Sequence, residues 1–184
     1  MPGNTIFDAV ATIRDAIAYA ETSRSPLCVV PLDFKQAFDR ISQTYLLIVL
    51  RSYGFGVGFV ECIRMMYGNA TSVILVNGHI STPIPIQCGV RQGCPLSMIL
   101  FVLCLNPLLY YLDESLQGTR THGTQLKTTV IAYDFDVSIL VTSEEDVRTV
   151  HDAIACYEKA TWTSTNWVNT LGHCVGECTG RYKG

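Results

Sequence analysis

The chain has 184 residues, of which 48% are hydrophobic and 16% are charged, a composition that excludes global disorder and allows one domain with a substantial core. The net charge of −3 gives no sign of the basic face with which proteins bind nucleic acid on their own. Eight cysteines lie mostly in apolar segments and no signal peptide precedes them, so we expect reduced thiols and a nuclear or cytoplasmic location.

The N-terminal segment predicts a helix followed by a buried strand. Asn4 or Thr5 can cap the helix. Its spacing places four apolar residues on one core-facing side, namely Ile6, Val10, Ile13 and Ile17. Residues 27–32 then form an apolar run that predicts a strand ending at Asp33. Pro31 is a local conflict in that strand because it removes a ladder donor.

The middle of the chain predicts two short helices, near 45–50 and 59–67, and then a β-hairpin over 72–86. Asn77-Gly78 is the turn pair best suited to two positive φ angles, so it should join the two strands. Pro83 and Pro85 confine the second strand to an edge or an irregular path.

A glycine-bounded polar loop over 89–95 precedes a long apolar helix over 96–112. Backbone amides and Arg91 converge in this loop, which fits either an anion site or an ordinary helix cap. The helix is short for a membrane span and is interrupted by Asn106-Pro107, so we expect a buried core helix and no membrane partner.

Residues 127–141 predict a β-hairpin with an acidic tip. Two β-branched runs flank Tyr133-Asp134-Phe135-Asp136, which presents carboxylates at a turn. Aspartate also suits tight turns without any further role. A polar linker over 114–125 precedes this hairpin, and a helix from Ser143 to about Ala160 follows it, with Asp146 at the reciprocal capping position. Periodicity fades from Thr161 onward.

Three stretches in this order resemble the reverse transcriptases of LINE-type (non-LTR) retrotransposons: PLDFKQAFDR at 31–40, GVRQGCPLS at 89–97 and AYDFDVSIL at 132–140. The segment 63–78 also looks like this family, and the similarity extends to about Asn169.

The resemblance implies an α+β fold, in which a polymerase palm-like antiparallel sheet is backed by helices. We expect the palm over 1–170, with partial fingers at 1–30, a loose tail over 171–184, truncated fingers and no thumb. The implied partners are an RNA template, a DNA primer and deoxynucleoside triphosphates, and the sequence does not define an oligomeric state.

The resemblance also assigns roles to single residues. Asp33 and Asp136 match the catalytic aspartates, which bind Mg²⁺ or Mn²⁺ through the oxygen ligands that such hard cations prefer. The implied nucleotide- and template-binding residues are Phe38, Arg91, Gln92 and Gly93. Phe38 matches the bulky residue that excludes a ribose 2′-hydroxyl, and glycines at 89 and 93 allow close backbone approach.

The hairpin tip departs from the family pattern, which has an aromatic residue, an alanine and two adjacent aspartates. Phe135 stands where the first of these aspartates belongs, and Asp136 remains in register. Asp134 is a candidate third metal ligand because it would share a strand face with Asp136. To take the place of the missing aspartate, however, Asp134 would require a shift in the strand register, which a packed sheet resists. We therefore expect catalysis to be lost or impaired.

Two further departures point the same way. The basic fingers region of the family is not matched upstream of Ile6, and Asn169 stands where the family has a lysine. The alternative is a non-catalytic remnant of the palm that binds nucleic acid or protein, because a palm without its fingers and thumb would expose apolar surface.

Overall fold

The computed structural model describes residues 5–91, 93–120, 127–133, 136–168, 170 and 172–176. They form the predicted α+β structure, which divides into two compact units. The first unit holds the described residues of 1–35, 107–157 and 164–184, and the second holds those of 36–106 and 158–163.

The helices, in chain order, are α1 (Ile6–Ser23), α2 (Ala37–Arg40), α3 (Gln43–Ser52), α4 (Val57–Tyr67), α5 (Pro95–Ser115) and α6 (Glu144–Thr161). The strands are β1 (Leu27–Leu32), β2 (Phe34–Lys35), β3 (Thr71–Ser72), β4 (Leu75–Val76), β5 (His79–Ile80), β6 (Ile84–Pro85), β7 (Thr119–Arg120), β8 (Lys127–Thr128), β9 (Val130–Tyr133), β10 (Asp136–Val141), β11 (Ser164–Thr165) and β12 (His173–Val175).

A four-stranded antiparallel sheet in the order β12-β1-β10-β9 is the centre of the first unit. The apolar run at 27–32 forms β1 over the predicted range, and it pairs with β10 from Cys28 opposite Val141 to Leu32 opposite Val137. Strand β12 lies in the segment predicted as a loose tail, which corrects that expectation for residues 173–175. Its three residues form a strand because β1 supplies their backbone partners.

Helix α1 packs on one face of this sheet, but only through its C-terminal half. Thr5 caps the helix and Asp8 completes a capping box. The buried residues of α1 are Ala16 and Ala20, which join Leu27, Val29 and Leu140 in the core. Ile6 and Val10 are 48% and 50% exposed, so the prediction that the whole apolar face enters the core is wrong for the first two turns.

The proline in β1 is accommodated because the strand has one open edge at that point. Strand β12 pairs with β1 only as far as Val29, where His173 lies opposite. Beyond Val29, within the described residues, β1 has a partner strand only on its β10 side, where Pro31 lies opposite Ser138. A proline nitrogen is tolerated in a strand where it faces such an edge.

Helix α6 begins with the predicted cap, in which the Ser143 hydroxyl accepts a hydrogen bond from the Asp146 N–H at 3.1 Å. The Asp146 carboxylate is buried and accepts hydrogen bonds from the backbone N–H groups of Thr142 and Gln117, each at 3.0 Å. It therefore ties the start of α6 to Gln117, two residues beyond the end of α5, as well as to its own cap. The side chains of Val150, Ile154 and Tyr157 are buried, as the helical spacing predicts.

Helices α3 and α4 pack together in the second unit. The predicted Asn77-Gly78 turn is confirmed, with φ values of 50° and 80°. The hairpin that it closes is interrupted, because only β4 with β5 and β3 with β6 form ladders. Two hydrogen bonds between Ile74 and Ser81 hold the intervening part.

Helix α5 has a buried stripe at helical spacing, formed by Leu100, Phe101, Cys104, Leu105, Leu108 and Leu112. This stripe agrees with the predicted core helix. Among the described residues α5 is also the one helix that is long and apolar enough to cross a membrane by length and composition alone. It begins at Pro95 and continues to Ser115, which shortens the predicted linker over 114–125.

The cysteines are more varied than expected. The described cysteines are all free thiols. Cys28 and Cys104 are buried, as core residues should be, and burial raises the pKa of Cys104 to about 12. Cys62 and Cys156 are exposed, so the expectation of core thiols does not hold for them.

The cap carboxylate on α6 gives a prediction about stability. Burial acts to raise the pKa of Asp146, but the hydrogen bonds from Gln117 and Thr142 outweigh it and hold this pKa below its ordinary value. Asp146→Asn should lower the free energy of unfolding at pH 7 by about 1–3 kcal/mol, because an amide cannot accept all of these bonds. Urea unfolding monitored by circular dichroism measures this change.

The same substitution has a pH signature with a fixed sign. A carboxylate with a lowered pKa stabilises the fold above about pH 4 and stops doing so as the pH falls through its folded pKa. The difference between the natural chain and Asp146→Asn should therefore shrink in acid. Asp152→Asn, at an exposed position on the same helix, is the control and should change stability little at either pH. Equal effects of the two substitutions at pH 7 would contradict the assignment.

Candidate functional site

The two predicted catalytic aspartates lie at neighbouring strand ends of the first unit. Asp33 directly follows β1, and Asp136 is the first residue of β10. The last pair between these strands joins Leu32 to Val137, so the same register extended by one residue sets Asp33 opposite Asp136. Directly opposed residues of an antiparallel pair place their Cβ atoms on one face, about 4.5–5.5 Å apart. Both aspartates are exposed.

Asp33 is held from its other side by Asn166. The Asn166 backbone N–H donates to the Asp33 carbonyl at 2.8 Å, and its side-chain amide donates to Asp33 Oδ2 at 3.0 Å. Sequence reasoning missed this contact. Its only sequence signal was the location of Asn166 in the last stretch that resembles the family, because 133 residues separate the two partners.

The tip of the acidic hairpin is only partly described. Tyr133 at the end of β9 pairs with Asp136 at the start of β10. Asp134 and Phe135 lie outside the described residues, so the suggestion that Asp134 replaces the missing ligand stays a prediction. Asn169, which stands in place of a family lysine, also lies outside them.

Phe38 belongs to the second unit, where it follows the start of α2 and is half-buried. Its ring packs against Phe101, with the ring centroids 4.8 Å apart, and its carbonyl accepts a hydrogen bond from Val90 N–H at 2.7 Å. These contacts fix the position of a bulky side chain. Its predicted role against a sugar stays a prediction.

The predicted nucleotide-binding loop is attached to α4. The Arg91 guanidinium donates from Nη2 to the Met66 carbonyl at 2.9 Å and lies 6.0 Å from the centroid of the Tyr67 ring. A cation at the C-terminal end of a helix is favourable because the helix dipole is negative there. Arg91 therefore stabilises the loop in this structure, and its role in binding nucleotide stays a prediction. Gln92 lies outside the described residues.

The two glycines of this loop serve different purposes. Gly89 has a φ of +88° and lies against α2, so that a Cβ there would be 2.7 Å from the Asp39 carbonyl oxygen. The close approach is thus to the chain's own backbone. Gly93 has a φ of +80° but open space around it. Its side of the loop leaves room for a bound group, whereas Gly89 has none.

The donor chemistry at Asp33 and Asp136 fits a divalent cation such as Mg²⁺. Mg²⁺ is often bound through one or two carboxylates together with substrate phosphates, and Asp33 and Asp136 offer ligands of that kind. Within the described residues no group of three or more acidic, histidine or cysteine side chains comes together. The two aspartates are therefore the type of ligand that such a cation prefers, but they are few in number.

Solved structures of telomerase from Candida tropicalis share this fold. One of them, in complex with a fragment of telomeric RNA, superposes with a TM-score of 0.65 at 14% identity over 96% of this chain and 30% of that chain. Apo telomerase from the same organism gives a TM-score of 0.62 at 13% identity, over 97% of this chain and 33% of that chain. The fold is therefore of the palm-like class that these polymerases contain.

Sequence relatives come from mobile elements. The transposon TX1 uncharacterized 149 kDa protein of Xenopus laevis is 33% identical over 176 residues, 96% of this chain and 14% of that protein. A Pol polyprotein from the type-1 retrotransposable element R2 of Popillia japonica is 32% identical over 119 residues, 65% of this chain and 20% of that protein. The chain thus spans a small part of these relatives.

The family model described as reverse transcriptase (RNA-dependent DNA polymerase) matches residues 2–166. The chain belongs to the reverse transcriptase family, and its relatives place it among non-LTR retrotransposon members, as the three motifs predicted. Reverse transcriptases generally use divalent metal ions, which agrees with the two carboxylates.

The loop glycines give a matched pair of substitutions. Gly89→Ala should lower the free energy of unfolding by about 2–4 kcal/mol, because strain at positive φ adds to a clash with backbone. Gly93→Ala has the same strain and no clash, so about 1 kcal/mol is expected. Chemical denaturation of both variants measures the difference. Equal losses would show that the contact between Gly89 and Asp39 is not tight.

Proposed function

We propose that the chain is the palm of a reverse transcriptase from a LINE-type retrotransposon and that its nucleotidyl-transfer activity is lost or strongly impaired. The observation that carries the proposal is the register between β1 and β10, which ends at Leu32 opposite Val137 and so brings Asp33 and Asp136 to neighbouring strand ends. The family fold and two of its carboxylates support the palm. The phenylalanine at 135, where the family has an aspartate, supports the impairment.

Asp33 and Asp136 are the residues that would hold Mg²⁺, or Mn²⁺ in its place. A bound divalent cation lowers the pKa of the primer hydroxyl and neutralises charge on the phosphates. Phe38 would restrict the sugar, and the open side of Gly93 would border the nucleotide. The proposed ligands are an RNA template, a DNA primer and a deoxynucleoside triphosphate.

The substitution at 135 removes charge where the chemistry needs it. Two-metal nucleotidyl transfer requires carboxylates to hold both cations against the repulsion between them. A phenylalanine offers no oxygen ligand and cannot be hydrated as a carboxylate can. Two remaining carboxylates would supply fewer protein ligands than two cations need, so metal binding would depend more on the substrate phosphates.

Restoring the family pattern at the hairpin tip should restore metal binding. The double variant Asp134→Ala, Phe135→Asp is expected to bind Mn²⁺ about tenfold more tightly than the natural chain, because it moves a carboxylate to position 135, where the family has a catalytic aspartate directly before Asp136. Electron paramagnetic resonance of free Mn²⁺ measures this affinity. Primer extension on an RNA template should become detectable in the double variant and should be absent or weak in the natural chain.

The control for this experiment adds Asp33→Ala to the double variant, which should abolish both gains. Template-dependent synthesis by the natural chain that disappears in Asp33→Ala would contradict the proposed impairment. A double variant that binds no more Mn²⁺ than the natural chain would contradict the proposed metal site itself.

A non-catalytic palm remnant is the second candidate function, and exposed apolar side chains in the second unit favour it. Val57, Met65, Leu75 and Ile80 are all at least two-thirds exposed. Where exposed apolar side chains form a contiguous patch, they mark interaction sites in soluble proteins. Fluorescence anisotropy with a labelled RNA–DNA hybrid separates the candidates. Binding of the hybrid by a double variant that still does not extend the primer would favour the remnant.

A further inference from the structure

Asn166 directly follows β11, which forms a two-stranded ladder with β2 in the first unit. Strand β11 pairs with β2 so that Thr165 lies opposite Phe34, and the same register extended by one residue sets Asn166 opposite Asp33. The backbone N–H of Asn166 donates to the Asp33 carbonyl at 2.8 Å, as this register requires. Asp33 therefore stands between Asp136 on one strand and Asn166 on another.

The backbone of Asn166 is held by Thr170, four residues further along the chain. The Asn166 carbonyl accepts hydrogen bonds from the N–H of Thr170 at 3.0 Å and from its hydroxyl at 2.9 Å. Thr170 is buried, so this turn is anchored in the first unit. The backbone on both sides of Asn166 is thus fixed, and its amide reaches Asp33 Oδ2 at 3.0 Å.

We propose that Asn166 is a positioning residue for the metal-binding carboxylate of Asp33. This inference rests on the proposed function, since it assumes that Asp33 binds a cation. The amide donates to one carboxylate oxygen and restricts rotation of the Asp33 side chain. It carries no charge, so it orients the carboxylate without competing with the cation as a lysine would.

The effect follows from the cost of ordering a ligand. An exposed carboxylate samples several rotamers, and the conformational entropy that it loses when a cation binds weakens the binding. Hydrogen bonds from neighbouring groups to metal ligands reduce that cost, and their removal lowers metal affinity by about 10- to 100-fold in buried sites. Asp33 and Asn166 are at the surface, so the expected effect here is about 3- to 10-fold.

The experiment uses the Asp134→Ala, Phe135→Asp chain as the parent, because it carries the restored carboxylate. Asn166→Leu removes the amide donor at similar volume and keeps the backbone bond to the Asp33 carbonyl. Asn166→Gln keeps an amide on a longer side chain. Asn106→Leu, at an exposed asparagine of α5, is the matched control. Mn²⁺ affinity is measured by electron paramagnetic resonance, and thermal unfolding of each variant is recorded beside it.

Asn166→Leu should bind Mn²⁺ about 3- to 10-fold more weakly than the parent, with Asn166→Gln recovering part of the loss and Asn106→Leu unchanged. If Asn166→Leu does not fold, Asn166→Ala takes its place. A folded variant without the amide that keeps the parent's affinity overturns the proposal, since a purely structural residue would change only thermal stability. A parent that itself binds no more Mn²⁺ than the natural chain overturns the metal site, and the inference falls with it.

Discussion

The pairing of β1 with β10 is the interaction on which the candidate site depends. Five consecutive pairs join the strands, from Cys28 with Val141 to Leu32 with Val137. Side chains alternate between the faces of a sheet. A slip of one residue would therefore turn each of the buried side chains of Ile139 and Leu140 to the face opposite its present one. The packing of apolar side chains thus fixes the register, and the register brings two exposed aspartates to neighbouring strand ends.

The surroundings of Asp33 are formed by three stretches that lie far apart in the sequence. Its position after β1 is set by the core beneath α1, its opposite neighbour comes from the acidic hairpin, and its hydrogen-bond donor Asn166 comes from the segment after α6. A single carboxylate is thereby placed by three separate stretches of sequence. The strands that place it are held by apolar contacts and backbone hydrogen bonds.

Local signals account for the parts of the fold that the sequence predicted. The apolar run of β1, the Asn77-Gly78 turn and the Asp146 cap each act within a few residues, so their outcome is readable from composition and spacing. Strand β12 and the contact of Asn166 with Asp33 depend on partners far along the chain. Their residues show no hydrophobic periodicity, and their positions are determined only by pairing with distant strands in the folded sheet. The exposed start of α1 has a similar cause, since amphipathic spacing does not say how far the sheet extends beneath a helix.

Pro31 has a further consequence for the behaviour of the chain in solution. It lies where β12 has ended and β1 has a free side within the described residues. Unpaired strand edges are templates on which other chains add strands and aggregate. A proline interrupts the row of donors that such an addition needs, so the residue that conflicts with strand propensity also protects the sheet from edge-to-edge association. Replacing it with a better strand former would make the sheet more regular and the protein less soluble.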